Sequence, residues 1–311
     1  MGIARLFFSL SITFFRFSGF AAGASNATRF LLFTTQRSGS TWFCDILNRQ
    51  NGMKCGVANP KRNEQYSNNP SRISEMMIRY SYMKNRVVST PYGRYNYKNI
   101  TWDAWLADCK AQFAHAERDL EVNVSTVGFK LMYDQVPPRL ENMFVDWLVK
   151  TNVAVVHLER EATVLKVVSS YQSPSGHMHE TKASKAAKNR VHTPPLNLPF
   201  SKIKDQILSS AAASKKWGDR LQYNPGVRYY HVSYEQVIGP AAEHHLRSVI
   251  AFVSDQHTSL VRKSVSMKSE LQQLHRTSCR DRLAPSLYHK IRASLPSDSK
   301  MLLACDFLDA L

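Results

Sequence analysis

Apolar and polar positions change their period along this chain in a way that marks strands and helices in turn. Arg29 to Thr35 (RFLLFTT) is a short apolar run with polar ends, and a polar loop, Gln36 to Thr41, leads from it into helical spacing over Trp42 to Gln50. The succession returns at Val124 to Met132 (VSTVGFKLM). There Pro137-Pro138 interrupts the chain, Arg139 to Lys150 is amphipathic, and Val153 to Leu158 (VAVVHL) is a further apolar run. Helices over Ala162 to Tyr171 and Phe200 to Arg220, a strand over Val227 to Val232 and a helix reaching about Val253 continue the alternation. Helix-like pieces follow at Leu283 to Ser294 and Lys300 to Leu308. Strands joined by crossings too long for hairpins predict an α/β fold, a central parallel sheet flanked by helices on both faces.

Two stretches interrupt that pattern. Residues 59–122 are rich in Asn, Tyr, Arg and Ser before they turn helix-forming around Trp105 to Phe113. Residues 173–199 are polar, basic and proline-bearing, which predicts a surface loop or lid. The expectation is a single domain over residues 28–311 carrying 59–122 as an insertion and 173–199 as a basic loop.

The first 27 residues differ from the rest. Arg5 precedes an apolar run, Leu6 to Phe15, that gives way to the small residues Ala21-Ala22-Gly23-Ala24-Ser25, the layout of a secretory signal. Arg16 breaks the run, so about 20 uninterrupted apolar residues are not available for a full span. A cleaved signal, an uncleaved membrane anchor and, because no acid precedes Asp45, an organellar transit peptide all stay open. The sequons at Asn26, Asn99 and Asn123 agree with a secretory route, which leads to the Golgi lumen or the outside of the cell.

Charge narrows the partners further. Forty-one Lys and Arg against 24 Asp and Glu give a formal +17, which favours anionic partners. No RNP, KH or zinc-finger pattern accompanies it, so nucleic acid is not expected on charge alone. The five cysteines (Cys44, Cys55, Cys109, Cys279 and Cys305) contain no CxxC and no finger-spaced histidine, so no metal site is expected; zero, one or two disulfides fit equally.

The loop Gln36 to Thr41 carries the clearest chemistry. It lies between the end of a strand and the start of a helix, where free backbone N–H groups and the positive end of the helix dipole attract an anion. Gly39 lets the backbone come close, Ser38, Ser40 and Thr41 supply hydroxyls, and Arg37 supplies a charged fork for phosphate or sulfate oxygens. A Walker A loop would need a lysine where Ser40-Thr41 stand. The alternative is a capped helix start beside an exposed arginine.

Residues 34 to 47, TTQRSGSTWFCDIL, resemble the 5′-phosphosulfate loop of sulfotransferases that use 3′-phosphoadenosine-5′-phosphosulfate (PAPS), in particular the carbohydrate and trehalose-type branch. A second signature of that family follows in order, about 120 residues on: HLER, 157 to 160, at a strand end, then Ser169 on the next helix. Fainter likeness runs through 127 to 137, 232 to 239 and 274 to 283. The resemblance implies PAPS as co-substrate without a metal, and a P-loop-like sulfotransferase fold. It implies Arg37, Ser38, Gly39, Ser40, Thr41 and Trp42 around the phosphosulfate, and Arg160 with Ser169, or Ser170 in its place, at the 3′-phosphate. Arg160 paired with Glu159 or Glu161, and Ser169 facing solvent, are the plain alternatives.

Sulfuryl transfer needs a base for the acceptor hydroxyl and positive charge near the leaving oxygen. The resemblance implies an acid soon after the first helix, and Glu64 in KRNEQY occupies that place; it also fits an ordinary surface charge. Lys130, inside an apolar strand, is the candidate for stabilising the transferring group beside Arg37, or a strand-end lysine reaching solvent. The family branch makes a carbohydrate hydroxyl or acidic glycan the expected acceptor, with 59–122 on the acceptor side. The competing reading is a non-catalytic basic module that binds glycan or nucleic acid with a degenerate nucleotide pocket.

Overall fold

The structure, a computed structural model, describes residues 27–56, 87–90, 93–96, 100–118, 125–172, 197, 199–255 and 283–295. The leader, Glu64, nearly all of the basic loop and the sequence from 300 to 308 lie outside the described residues.

The main sheet contains β1 (Thr28–Thr34), β2 (Met53–Cys55), β5 (Thr126–Met132), β6 (Ala154–Glu159) and β7 (Tyr229–Ser233) in the order β2-β5-β1-β6-β7. Every pairing in it is parallel. A separate antiparallel pair, β3 (Val87–Thr90) and β4 (Gly93–Asn96), falls in the insertion.

Side chains alternate across the sheet with period two, and each face has its own core. Phe30 and Leu32 join Ala154, Val156, Leu158 and Val232 on one face, covered by α1 (Ser40–Asn48) and the later helix α7 (Ala242–Ser254). Leu31 and Phe33 join Val127, Phe129, Leu131 and Val155 on the other. That face is covered by α2 (Trp102–Arg118), α3 (Glu141–Thr151) and α5 (Phe200–Gln222). The expected two-sided α/β sheet is present.

Helix α4 (Thr163–Gln172) leaves β6 and packs with α5 and α8 (Pro285–Ser294) in a third apolar cluster. The helix expected from Ser233 to about Val253 is two helices, α6 (Tyr234–Ile238) and α7, because Gly239-Pro240 breaks the run. Strand β2 carries no period of its own in the sequence; it is set by pairing with β5 and by a disulfide between Cys55 and Cys44 of α1. Cys109 is a free, buried thiol of α2.

Sheet order fixes where a ligand can enter. From β1 the chain runs through α1 to β2 at one edge, and from β6 it runs through α4 and α5 to β7 at the other. The neighbouring strands β1 and β6 therefore send their connections apart, and a crevice opens beyond their C-terminal ends.

Candidate anion-binding site at the β1 and β6 strand ends

The loop after β1 turns tightly through two left-handed residues, Arg37 at φ 63° and Gly39 at φ 82°. Thr34 and Ser38 brace it. Thr34 Oγ1 reaches Ser38 Oγ at 2.5 Å and the Leu158 carbonyl of β6 at 2.6 Å, while Ser38 Oγ donates to the Thr35 carbonyl at 2.8 Å. The Ser38 hydroxyl is thus engaged inside the loop, and the turn it locks sets the direction of the following N–H groups.

Gly39 is the N-cap of α1. Among the described residues no side chain caps this helix, and its first turn holds no acid. Its leading N–H groups and dipole stay available to an anion. Glycine is required here twice over. The backbone is left-handed, and a Cβ would lie 2.3 Å from the Tyr234 ring. Ser40 is buried and Thr41 half-buried at the same turn. Trp42 stands edge-on to Tyr234 with ring centres 5.8 Å apart.

Lys130 comes to this turn from β5. It is 1% exposed, and its Nζ donates to Thr41 Oγ1 at 3.0 Å. The reason is register: Lys130 pairs with Leu32 and so points to the α1 face, unlike its neighbours Phe129 and Leu131 on the opposite core. A solvent-reaching lysine is ruled out by that burial. Gly128, two residues earlier on the same face, leaves the space that the Phe30 ring fills.

Arg160 lies just past β6. Its Nη1 donates to the Arg37 carbonyl at 3.2 Å, and its guanidinium lies 5.1 Å over the Tyr234 ring. Its Nε is buried with no hydrogen-bond partner. The alternative pairing with Glu159 is not made, since Glu159 accepts from His231 at 3.0 Å. The two motifs that the sequence reading joined by resemblance therefore meet across the crevice.

The serines of α4 differ from each other. Ser169 is buried, whereas Ser170 is exposed and spends its hydroxyl on the Val167 carbonyl at 2.7 Å. The plain alternative of a solvent-facing Ser169 does not hold.

Several residues of this corner were not singled out from the sequence. Glu235 of α6 accepts the backbone N–H groups of Glu161 at 3.0 Å and Ala162 at 3.2 Å, so it holds the loop that carries Arg160; burial raises its carboxyl above the ordinary range despite those bonds. Ser233 and Gln236 cap α6 reciprocally. That S-x-x-Q spacing was the readable signal. Lys166 of α4 is 4% exposed, and burial lowers its ammonium to about 8, with Glu159 and Glu235 opposing and Arg160 reinforcing the fall.

On the opposite face His157 bridges two phenols, Tyr133 at Nε2 and Tyr229 at 2.7 Å from Nδ1. Burial, then the neighbouring His231, push its imidazole down to about 4, so it is neutral near pH 7. Burial would lift Glu159, but hydrogen bonds from His231 and Ser214 hold it at about 2. The alternation of His157 and Glu159 along β6 opposite Tyr229 and His231 of β7 was the signal for this polar cluster.

Among the described residues no group of three or more His, Cys, Asp or Glu side chains stands where it could hold a metal ion. No helix among them is long and apolar enough to cross a membrane. No protein-family model and no curated protein matches the chain. A solved structure of a sulfotransferase from Alicyclobacillus acidocaldarius is similar over 90% of this chain and 94% of that one, at 12% sequence identity and a TM-score of 0.43.

Proposed function

We propose that this chain transfers a sulfuryl group from PAPS to a carbohydrate hydroxyl. The observation that carries the reading is the meeting of two motifs at one crevice: an uncapped helix start behind Gly39 and, hydrogen-bonded to its loop, Arg160 with a buried Nε left without a partner. An orphaned guanidinium nitrogen beside open backbone N–H groups suits a ligand with negative charge at two ends.

In this reading the α1 turn with Arg37, Ser40 and Thr41 takes the phosphosulfate, and Arg160 with Ser169 takes the 3′-phosphate. Two separated grips hold the nucleotide in one orientation with its sulfur toward the acceptor. The acceptor oxygen forms the new S–O bond as the bond to the 5′-phosphate breaks, and 3′,5′-phosphoadenosine leaves. Lys130, at Thr41, supplies positive charge where negative charge builds on the departing oxygen. The acceptor proton goes to a base for which Glu64 is the candidate on sequence grounds.

A carbohydrate acceptor rests on the family resemblance, and passage through the secretory pathway on the leader and the sequons. The Cys44–Cys55 disulfide is in keeping with an oxidising compartment. Incubating the full chain with sulfur-labelled PAPS and a panel of glycans, phenols and small hydroxy compounds tests both donor and acceptor. Label transferred to a glycan supports the proposal. Nucleotide binding without transfer to any acceptor favours the non-catalytic module instead.

A further inference from the structure

The corner where β6 meets α4 holds one more cation than the motifs account for. Thr163, Lys166 and Ser169 recur at helical spacing on α4 and are all buried. Lys166 lies within electrostatic range of Arg160, Glu159 and Glu235.

Neither glutamate serves as its contact partner. Both Glu235 oxygens are engaged by the N–H groups of Glu161 and Ala162, and Glu159 is paired with His231. No ion pair or hydrogen bond joins the Lys166 ammonium to a described residue, although the residue as a whole is only 4% exposed. The Nε of Arg160 is fully buried and has no hydrogen-bond partner. A buried guanidinium nitrogen without a partner and an ammonium that no described residue engages, with a buried hydroxyl one helical turn from Lys166, match the acceptor oxygens of a phosphate monoester.

We propose that Lys166 is a direct ligand of the nucleotide's 3′-phosphate, together with Arg160 and Ser169. This rests on the nucleotide reading above and adds to it the residue that makes the corner selective for a 3′-phosphorylated nucleotide. The glutamates orient the cations without closing them off by contact, so the phosphate completes the cluster.

The test compares two probes by titration calorimetry on the full chain: 3′,5′-phosphoadenosine and adenosine 5′-phosphate, which lacks the 3′ group. Lys166→Met is expected to weaken the first by about ten- to hundredfold and to leave the second unchanged, the loss of one charge-assisted contact. Lys166→Arg is expected to retain most of the preference. Should Lys166→Met fail to fold, Lys166→Gln keeps a polar end and carries the same comparison. Equal weakening of both nucleotides means a structural lysine and overturns the assignment, as does an unchanged preference in the variant. If the wild-type protein binds neither nucleotide, the underlying nucleotide reading fails and the assignment falls with it.

Discussion

Arg160 Nη1 donates to the main-chain carbonyl of Arg37 across 3.2 Å, tying the loop after β1 to the loop after β6 over 123 positions of sequence. The bond grips the backbone of Arg37 and leaves the role of its side chain to be separated from the shape of its turn. Because Arg37 is left-handed at φ 63°, glycine suits that backbone better. Arg37→Gly is therefore expected to hold or raise stability, by up to about 1 kcal/mol, while sulfuryl transfer falls by about a hundredfold or more. Chemical unfolding and a transfer assay on the same preparation read the two effects apart.

Lys130 predicts the opposite division between binding and chemistry. Met is close to Lys in volume and suits a buried strand position, so Lys130→Met is expected to fold. It removes the charge beside Thr41. Turnover should drop by about 10² to 10³ while nucleotide affinity changes by less than about threefold. Steady-state kinetics with calorimetric binding checks this, and a parallel loss of affinity would make Lys130 a binding residue.

The disulfide ties the helix at the anion site to the edge of the sheet. Cys44 and Cys55 close a loop with a sequence separation of 11, so losing the bridge should cost about 2–3 kcal/mol. The Cys44→Ser/Cys55→Ser double variant and wild-type protein in reductant are expected to show the same lowered midpoint in thermal unfolding.

Acid should loosen the cluster around His157. His157, held near 4 by burial and His231 against an ordinary value of about 6.5, stays neutral in the folded chain but takes a proton when unfolded. Its neutral form thus favours folding above about pH 6.5, and that contribution is lost as pH falls from there toward 4. Glu159, near 2, remains ionised throughout the window. Unfolding free energies from urea titrations between pH 7.5 and 4 should fall by about 3 kcal/mol more in wild type than in His157→Gln.

The sequence made the sheet legible because its strands are apolar on both faces and its crossings helical, as with Phe30 to Phe33 before α1. It also placed Arg37 and Arg160 at strand ends, on one edge of a parallel sheet, although their nearness depends on the pairing of β1 with β6. What escaped it depends on register and pairing. The burial of Lys130 follows from facing Leu32, a relationship made only when β5 pairs with β1. Three-residue β2 has no period to read, and the His157 cluster assembles side chains from β6, β7, α5 and the turn after β5. Lys166 reads locally as one polar residue on an amphipathic helix. Only the engagement of Glu159 and Glu235 elsewhere sets it apart.

The measurement that bears most directly on the account is a crystal structure with 3′,5′-phosphoadenosine. The 5′-phosphate is expected on the N–H groups behind Gly39 and the 3′-phosphate against Arg160, Lys166 and Ser169. A nucleotide lodged elsewhere, or both places empty at saturating ligand, would contradict it.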